Sequence, residues 1–532
     1  MADKLYFSRD AKVYVELTAN DGDFQGLWEI PVLDGFSFSQ STNQTEIGLT
    51  EMESTGGVSR RGRRLFTDSL APAEWSFSTY MRPTTIASGK NHMVDQVLWA
   101  AMAGADEFAG DGVSAAPTAG ALSGDYTRNS SDRANTGGLV FDETQATLPS
   151  TGTTSTTAGL LTFKESNRAT LPKLTLYFVF ETDTTNPMVY KLASAIVNEC
   201  SIDFDIDGIA TANWSGFAKE VTDLQTSGLV TVGTTAPTSG FTDVFLDSDG
   251  DYTLSVPVDT SGNGTNDAYR AAITTGVTST NNFIRNRLTQ LEVRGQNPDV
   301  MEGKRVVISS ESSGTFTCAE AHGLKAGDVV RISGLTGTDA ANFNNKNVFV
   351  LSTGLTTTAF KVSLTAGGSA ISGTVTTSGS PVVDTGIYSF TLTGGNITIG
   401  NNVSYLVPEE IGTINKPVEG VTGSRTIGGN FTCYLVFDNA TGNTGASADF
   451  FSDLVDPTKG LTKVVNEFDV TFKVGGTVAS TPRVFLNFPK VHIDVPVHSI
   501  EDVISLESNF GAYTEDFDSV DEFNMEVHGV SA

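Results

Sequence analysis

Residues 59–68 read SRRGRRLFTD, which places the guanidinium groups of Arg60, Arg61, Arg63 and Arg64 within one short segment, with Leu65 and Phe66 directly after them. Such a cluster suits nucleic acid, a membrane surface or an acidic protein partner. The chain as a whole carries a net charge of −29. That disfavours a nucleic-acid reader, because phosphate binding requires a basic face. A second constellation is SIDFDID, residues 201–207. Alternate residues of a strand face opposite ways, so Ile202, Phe204 and Ile206 are expected in the core. Asp203, Asp205 and Asp207 then share the other face, where three like charges require water. A third is KVHIDVPVHS, residues 490–499. Read as one strand, it turns Val491, Ile493, Val495 and Val497 inward and puts His492, Asp494 and His498 on one face. The two His stand about 20 Å apart in an extended strand, too far to share an ion.

Other chemistry finds less support. Asp247, Asp249 and Asp251 in LDSDGDYTL open like a calcium loop, but Tyr252 and Val258 stand where that loop requires Gly and Glu. No GxSxG, HExxH or P-loop motif occurs among residues that include only five His. Catalytic residues, cofactors and metals are therefore all expected to be absent. Paired carboxylates for glycoside hydrolysis remain open, because acids are plentiful. Cys200, Cys318 and Cys433 lie far apart and read as buried free thiols.

The elements that must position these residues are mostly strands. At 532 residues the chain is long enough for several cores. No apolar run is long enough to span a membrane, and the start lacks a signal-peptide layout. KVYVEL (12–17) and LTLYFVFE (174–181) are strand-like runs. One helix is predicted over HMVDQVLWAAMAG, capped by Asn91 and ended by Gly104. Residues 105–160 read as a surface excursion. The order loop, strand, helix, strand, strand, strand recurs: EWSFSTY, the 91–103 helix, LTLYFVFE and NECSIDFDIDGIATANWSGFA in the first half, and TIGGNFTCYLV, SADFFSDLVD, EFDVTFKV and RVFLNFPKVHIDV onward in the second. Trp214-Ser-Gly-Phe-Ala matches Ser508-Asn-Phe-Gly-Ala at the ends. This predicts a duplication, each unit one sheet with one helix packed on it. Residues 303–384 alternate short strands with Gly/Thr turns, as in a small barrel or sandwich.

VLDGFSFSQSTN with EWSFSTYMRP, NECSIDFDIDGIATANWSGF, and GSRTIGGNFTCYL resemble phage tail tube proteins over residues 1–225 and, more weakly, 281–300 and 385–532. HGLKAGDVVRISG, FNNKNVFV and TTAFKVSL resemble small β-modules decorating phage virion proteins. The resemblance implies a mainly β fold with two tandem tail-tube-like sheet-plus-helix units forming part of a ring barrel. The units would span 1–230 and, for the second, 281–302 with 385–532. A linker would occupy 231–280, and the inserted β-module 303–384. Sheets of that family join around a ring, rings stack into a tube, and a long loop reaches the next ring. Six single units close such a ring, so three duplicated chains would form a pseudo-hexamer, with a hexamer of chains as the alternative.

The implied function is a structural, non-enzymatic virion protein whose channel passes DNA without specific binding. Its location would be the virion tail, assembled in the host cytoplasm. Partners would be further copies, a tape measure protein, a tail terminator, baseplate proteins and, in a contractile tail, a sheath. Asp203, Asp205, Asp207, His492, Asp494 and His498 would line the lumen. Arg60, Arg61, Arg63, Arg64, Leu65 and Phe66 would contact the next ring, with the acidic C-terminal residues as complement. The alternatives are a virion-associated glycan depolymerase and a non-catalytic decoration or adhesion protein.

Overall fold

A computed structural model describes residues 5–18, 24–46, 65–85, 91–103, 148, 150, 158–163, 171–181, 187–233, 242–246, 252–258, 268–272, 280–295, 298, 301–407, 416–437, 445–456, 467–500, 503–514 and 522–531. Twelve strands carry the argument. In the first half they are β1 (Ala11–Thr18), β2 (Ser37–Glu46), β3 (Leu65–Tyr80), β4 (Lys173–Phe180), β5 (Met188–Asp205) and β6 (Thr211–Ala218). In the second half they are β7 (Gln290–Gly295), β8 (Ile387–Gly400), β9 (Thr426–Tyr434), β10 (Phe468–Val474), β11 (Arg483–Ile493) and β12 (Ile504–Ala512). Helix α1 (Gln96–Ala103) follows β3, and α2 (Ser447–Val455) follows β9. The chain is thus mainly β.

The same set of antiparallel pairings occurs twice. In the first half β1 pairs β4, β4 pairs β5, β5 pairs β6, β6 pairs β3 and β3 pairs β2. In the second, β7 pairs β10, β10 pairs β11, β11 pairs β12, β12 pairs β9 and β9 pairs β8. The halves are then sewn together edge to edge. Strand β8 lies antiparallel to the end of β5, from Gly394 opposite Asp205 to Gly400 opposite Glu199. Alternation drives this: Ile202, Ile397, Ile399, Ile427 and Phe431 point to one side and are buried in a single core that runs through both halves.

Both helices sit where their apolar residues demand. All eight residues of α1 are buried, and Trp99 meets Trp214 edge-on at 4.9 Å. The helix starts later than its sequence predicts. Asn91 is drawn into a short strand, Asn91–Met93, against Pro83–Thr85. Its Oδ1 accepts from the Gly529 amide and from Thr85 Oγ1 instead of capping the helix. Asp95 takes the position before α1, and its carbonyl accepts the Leu98 and Trp99 amides. Helix α2 packs Phe450 against Tyr388, Phe390 and Phe468, and Asp449 accepts the Ala446 amide at its start.

Two further modules cover the outer sheets. Val230–Gly233, Thr242–Leu246, Tyr252–Val258 and Ala268–Ala271 form a four-stranded sheet within the stretch read as a linker. Val244, Leu254 and Val256 pack on Tyr14, Leu27 and Tyr177. Residues 305–384 form a closed six-stranded barrel with its own core around Phe316, Phe343 and Phe360. Its two connectors are hydrogen-bonded together, and Gly303 (φ +61°) passes so close that a Cβ there would meet the Ile387 amide nitrogen at 2.2 Å. Ion pairs hold the barrel to the sheet. Arg294 on β7 binds Glu292 at 2.6 Å and reaches Asp328 of the barrel, Lys473 on β10 binds Glu292, and Lys325 of the barrel binds Asp469.

Two predictions follow from buried charge. Burial pushes the Asp95 carboxyl up to about 6, against the opposing bond from Thr79. The folded state therefore holds this proton more tightly than the unfolded chain, and stability falls as pH rises through roughly 4 to 6. Asp95→Asn retains the acceptor and is expected to raise stability at pH 8 by up to about 3 kcal/mol, with a smaller gain at pH 5, measured by urea unfolding. An equal gain at both values would reject the assignment. At the barrel junction burial opposes charge on Glu292, but Arg294 and Lys473 override it and hold the carboxyl down at about 2. That contribution is present above the ordinary Glu range and is lost as pH falls from about 4.5 toward 2. Arg294→Met should cost about 3–5 kcal/mol, because it removes the guanidinium from between two buried carboxylates and leaves Glu292 with Lys473 alone; a loss under 1 kcal/mol would show that the network does not hold the barrel.

Candidate assembly surface

Opposite the core, the continuous sheet presents a second face, and its residues follow from the registers. From β2 to β12 it carries Ser37 and Ser39; Glu74, Ser76 and Ser78; Asn213 and Ser215; Glu199, Ser201, Asp203 and Asp205; Asn396 and Thr398; Asn430 and Thr432; Glu507 and Asn509. None of these is Lys or Arg, and most are short. Acids recur across its width without a compensating cation among these residues, so the face has to stay wet.

Asp203 does more than remain solvated. Its Oδ2 accepts Asn213 Nδ2 at 2.8 Å, and its Oδ1 accepts Asn396 Nδ2 from the other side of the seam. Asn396 also donates to Ser201 Oγ at 2.9 Å and accepts from Thr398 at 2.8 Å, while Ser78 donates to Asn213 at 2.7 Å. An acceptor-only carboxylate between two amides fixes both amide orientations, so this row locks the register of the two halves. Asp205 is exposed at the strand end. Asp207 lies beyond the strand, because the chain turns at Asp205–Gly208, and it faces Arg287 at 3.9 Å. The same turn leaves Ile206 37% exposed rather than in the core.

The 490–499 segment departs from its expected alternation. Strand β11 stops at Ile493 and pairing resumes only at Val497–Ile500, with Pro496 in the gap. His492 and Asp494 stay together, 3.9 Å apart, on the solvated side. His498 is turned the other way, its ring edge-on to Phe451 of α2 at 4.6 Å. Val495 and Val497, expected inside, are 42% and 69% exposed.

Two edges of the sheet have no strand beside them among the described residues. One is the outer edge of β2, which pairs only with β3. The other is Val497–Ile500, which pairs only with β12 and exposes Ile500 at 80%. Sequence reasoning missed both. The signal was present in VPVHSI, whose Pro and unmatched valines mark an edge. Arg60, Arg61, Arg63 and Arg64 lie outside the described residues, as do Asp247, Asp249 and Asp251. Leu65 and Phe66 begin β3 and are each 48% exposed. The three cysteines are buried and unpaired. Among the described residues no group of three or more His, Cys, Asp and Glu side chains is placed to hold a metal ion, and no helix is long and apolar enough to cross a membrane.

No protein-family model matches the chain. Over 520 residues it is 21% identical to the tail tube protein pb6 of Escherichia phage T5, an alignment that covers 97% of this chain and 75% of that protein.

Proposed function

We propose that the chain is a structural, non-catalytic subunit of a phage tail tube, and that it duplicates one tube unit. The observation that carries this reading is the seam. Inside one chain, the second half presents β8 to the free edge of β5. The first half has an equivalent of β8, namely β2, whose outer edge is open. The second half has an equivalent of the β5 edge, namely Val497–Ile500, which is also open. Matching the registers of the two halves pairs Ser39 of one copy with Val497 of the next, and Ser37 with Ser499, as Thr398 pairs with Ser201 and Asn396 with Asp203. Edge pairing of this kind satisfies backbone groups at both sites and repeats from copy to copy. With two units per chain, three copies close a ring of six units.

In that ring the solvated face continues from chain to chain and lines a channel. Acids without cations repel phosphate, so DNA passes without a binding step. The aligned phage T5 protein carries the same role in its name, which supports the reading. The chain then resides in the virion tail after assembly in the host cytoplasm, stacked on further copies. A tape measure protein inside, a terminator and a baseplate at the ends are the partners such a tube requires. The 305–384 barrel lies on the side away from the channel face, as an outward decoration.

Two experiments test this. Ser39→Cys with Val497→Cys in one chain should give, under mild oxidation, covalent ladders on denaturing gels that stop at three chains. Cross-linking by a shifted pair, Ser39→Cys with Val503→Cys, in place of the matched pair would overturn the register. For the channel, Thr398→Lys with Asn430→Lys should leave tubes intact but make them retain short duplex DNA, with affinity falling steeply as salt rises. Equal DNA retention by parent and variant tubes would remove the face from the lumen.

A further inference from the structure

The strand registers define two ends of the sheet, and their chemistry differs. One end holds Tyr80, Asp205 and Thr211, with residues 282–288 and the 475–483 turn packed beside them. Ile209 bridges Arg285, and the Ala210 amide donates to the Ile284 carbonyl. The other end holds Gly400, Thr426 and Ala512.

Arginines gather at the first end of this acidic protein. The Arg82 guanidinium lies over the Phe283 ring at 4.6 Å, and Tyr80 meets the same ring edge-on at 5.4 Å. Arg287 is 75% exposed and, among the described residues, pairs with Asp207, 82% exposed, at 3.9 Å. Arg285 is exposed, pairs through its backbone alone among the described residues and lines a cleft of about 410 Å³. Phe283, Leu288, Asn281, Thr481 and Pro482 complete the cleft wall, which mixes apolar surface with hydroxyl and amide groups. Leu288 is 41% exposed and Ile209 beside it 38%.

The complement is written into the same chain at the opposite end. Tyr513, just past β12, donates its amide to the Lys490 carbonyl, and Glu522 is fixed by Arg425 beside Asn401. Between Thr514 and Glu522 the sequence is EDFDSVD, which offers Glu515, Asp516, Asp518 and Asp521 interleaved with Phe517 and Val520. Copies stacked in one polarity bring this end of one copy to the arginine end of the next. The roots of the SRRGRRLFTD loop, Glu46 and Leu65, lie at the acidic end as well, beyond the Gln40–Ala73 pair. Arg82, Arg285 and Arg287 are the described cations at the end that this segment would meet.

We infer that the cleft formed by Phe283, Arg285 and Leu288, with Arg82 stacked on Phe283 and Arg287 between Arg285 and Leu288 in the chain, is a docking site for the acidic 514–521 segment of a second copy in the adjoining ring. This rests on the tube reading and deepens it by naming the inter-ring contact. Carboxylates engage Arg285 and Arg287 in the forked geometry that guanidinium favours, and Phe517 or Val520 covers Leu288. The contact sets polarity, because the cleft and the acidic segment belong to opposite ends of one chain and meet only when copies stack in one direction.

The test uses the full chain. A fluorescein-labelled octapeptide TEDFDSVD, residues 514–521, should bind the purified protein, and Arg285→Glu with Arg287→Glu should weaken that binding by about tenfold or more. Circular dichroism confirms that the variant folds. In electron microscopy the same variant should keep closed rings and lose stacking, and adding Asp516→Lys and Asp518→Lys should restore tubes. Unchanged peptide binding, or tubes that form as well in the Arg285→Glu, Arg287→Glu chain as in the parent, would overturn the proposal. Absence of rings in the parent protein would count against the tube reading, and the peptide measurement would still decide the cleft.

Discussion

The antiparallel contact between β5 and β8 is the constraint on which the molecule depends. It turns two half-sheets into one, so that a core on one side and a polar face on the other run without interruption through both halves. Backbone pairing alone would tolerate slippage, because a shift of two residues preserves the facing of every side chain. The row Asn213–Asp203–Asn396 removes that freedom. A shift would leave a carboxylate without its amides, and the amides without an acceptor.

From that constraint the distribution of charge follows. A face that has to stay wet cannot be apolar, and none of the side chains that the registers place on it is Lys or Arg. Short acidic, hydroxyl and amide side chains remain. Long cations are moved elsewhere: Lys473 and Arg294 to the opposite sheet, where carboxylates bury them, Arg425 to the interior between the halves, and Arg82, Arg285 and Arg287 to one end. In a chain with only 33 basic residues, each of these placements consumes a scarce group.

Much of this was legible in the sequence. Alternation in SIDFDID placed Ile202 and Phe204 in the core and Asp203 and Asp205 outside, because an uninterrupted strand has a fixed period. The recurring order of elements anticipated the two sets of pairings, since each element brought its own apolar pattern. What failed did so where the period broke. Ile206, Asp207, Val495 and His498 all follow a turn or a Pro-containing gap, after which parity carries no information. Asn91 was misread because capping is the local role of an amide there, and the partner that decides, Gly529, lies far along the chain. The 230–271 sheet was hidden because its strands are short and separated by Gly, Thr and Asp turns that read locally as linker.

The two outer modules show how a fixed face constrains its back. On the first half, the outer sheet is covered through Tyr14, Leu27 and Tyr177, and the contact is apolar. On the second, it is covered through three carboxylates and three cations that leave almost no charge unpaired. Buried ion pairs add little net stability compared with apolar packing, but they tolerate few alternative arrangements. The apolar cover can therefore adjust, whereas the barrel is held in one pose, with its connectors hydrogen-bonded to each other as well. Residues 301–385 also contain as many basic as acidic side chains, six of each, so the barrel adds nothing to the negative charge of the remainder. A module mounted rigidly, electrically neutral and turned away from the acidic face leaves the potential along that face unchanged.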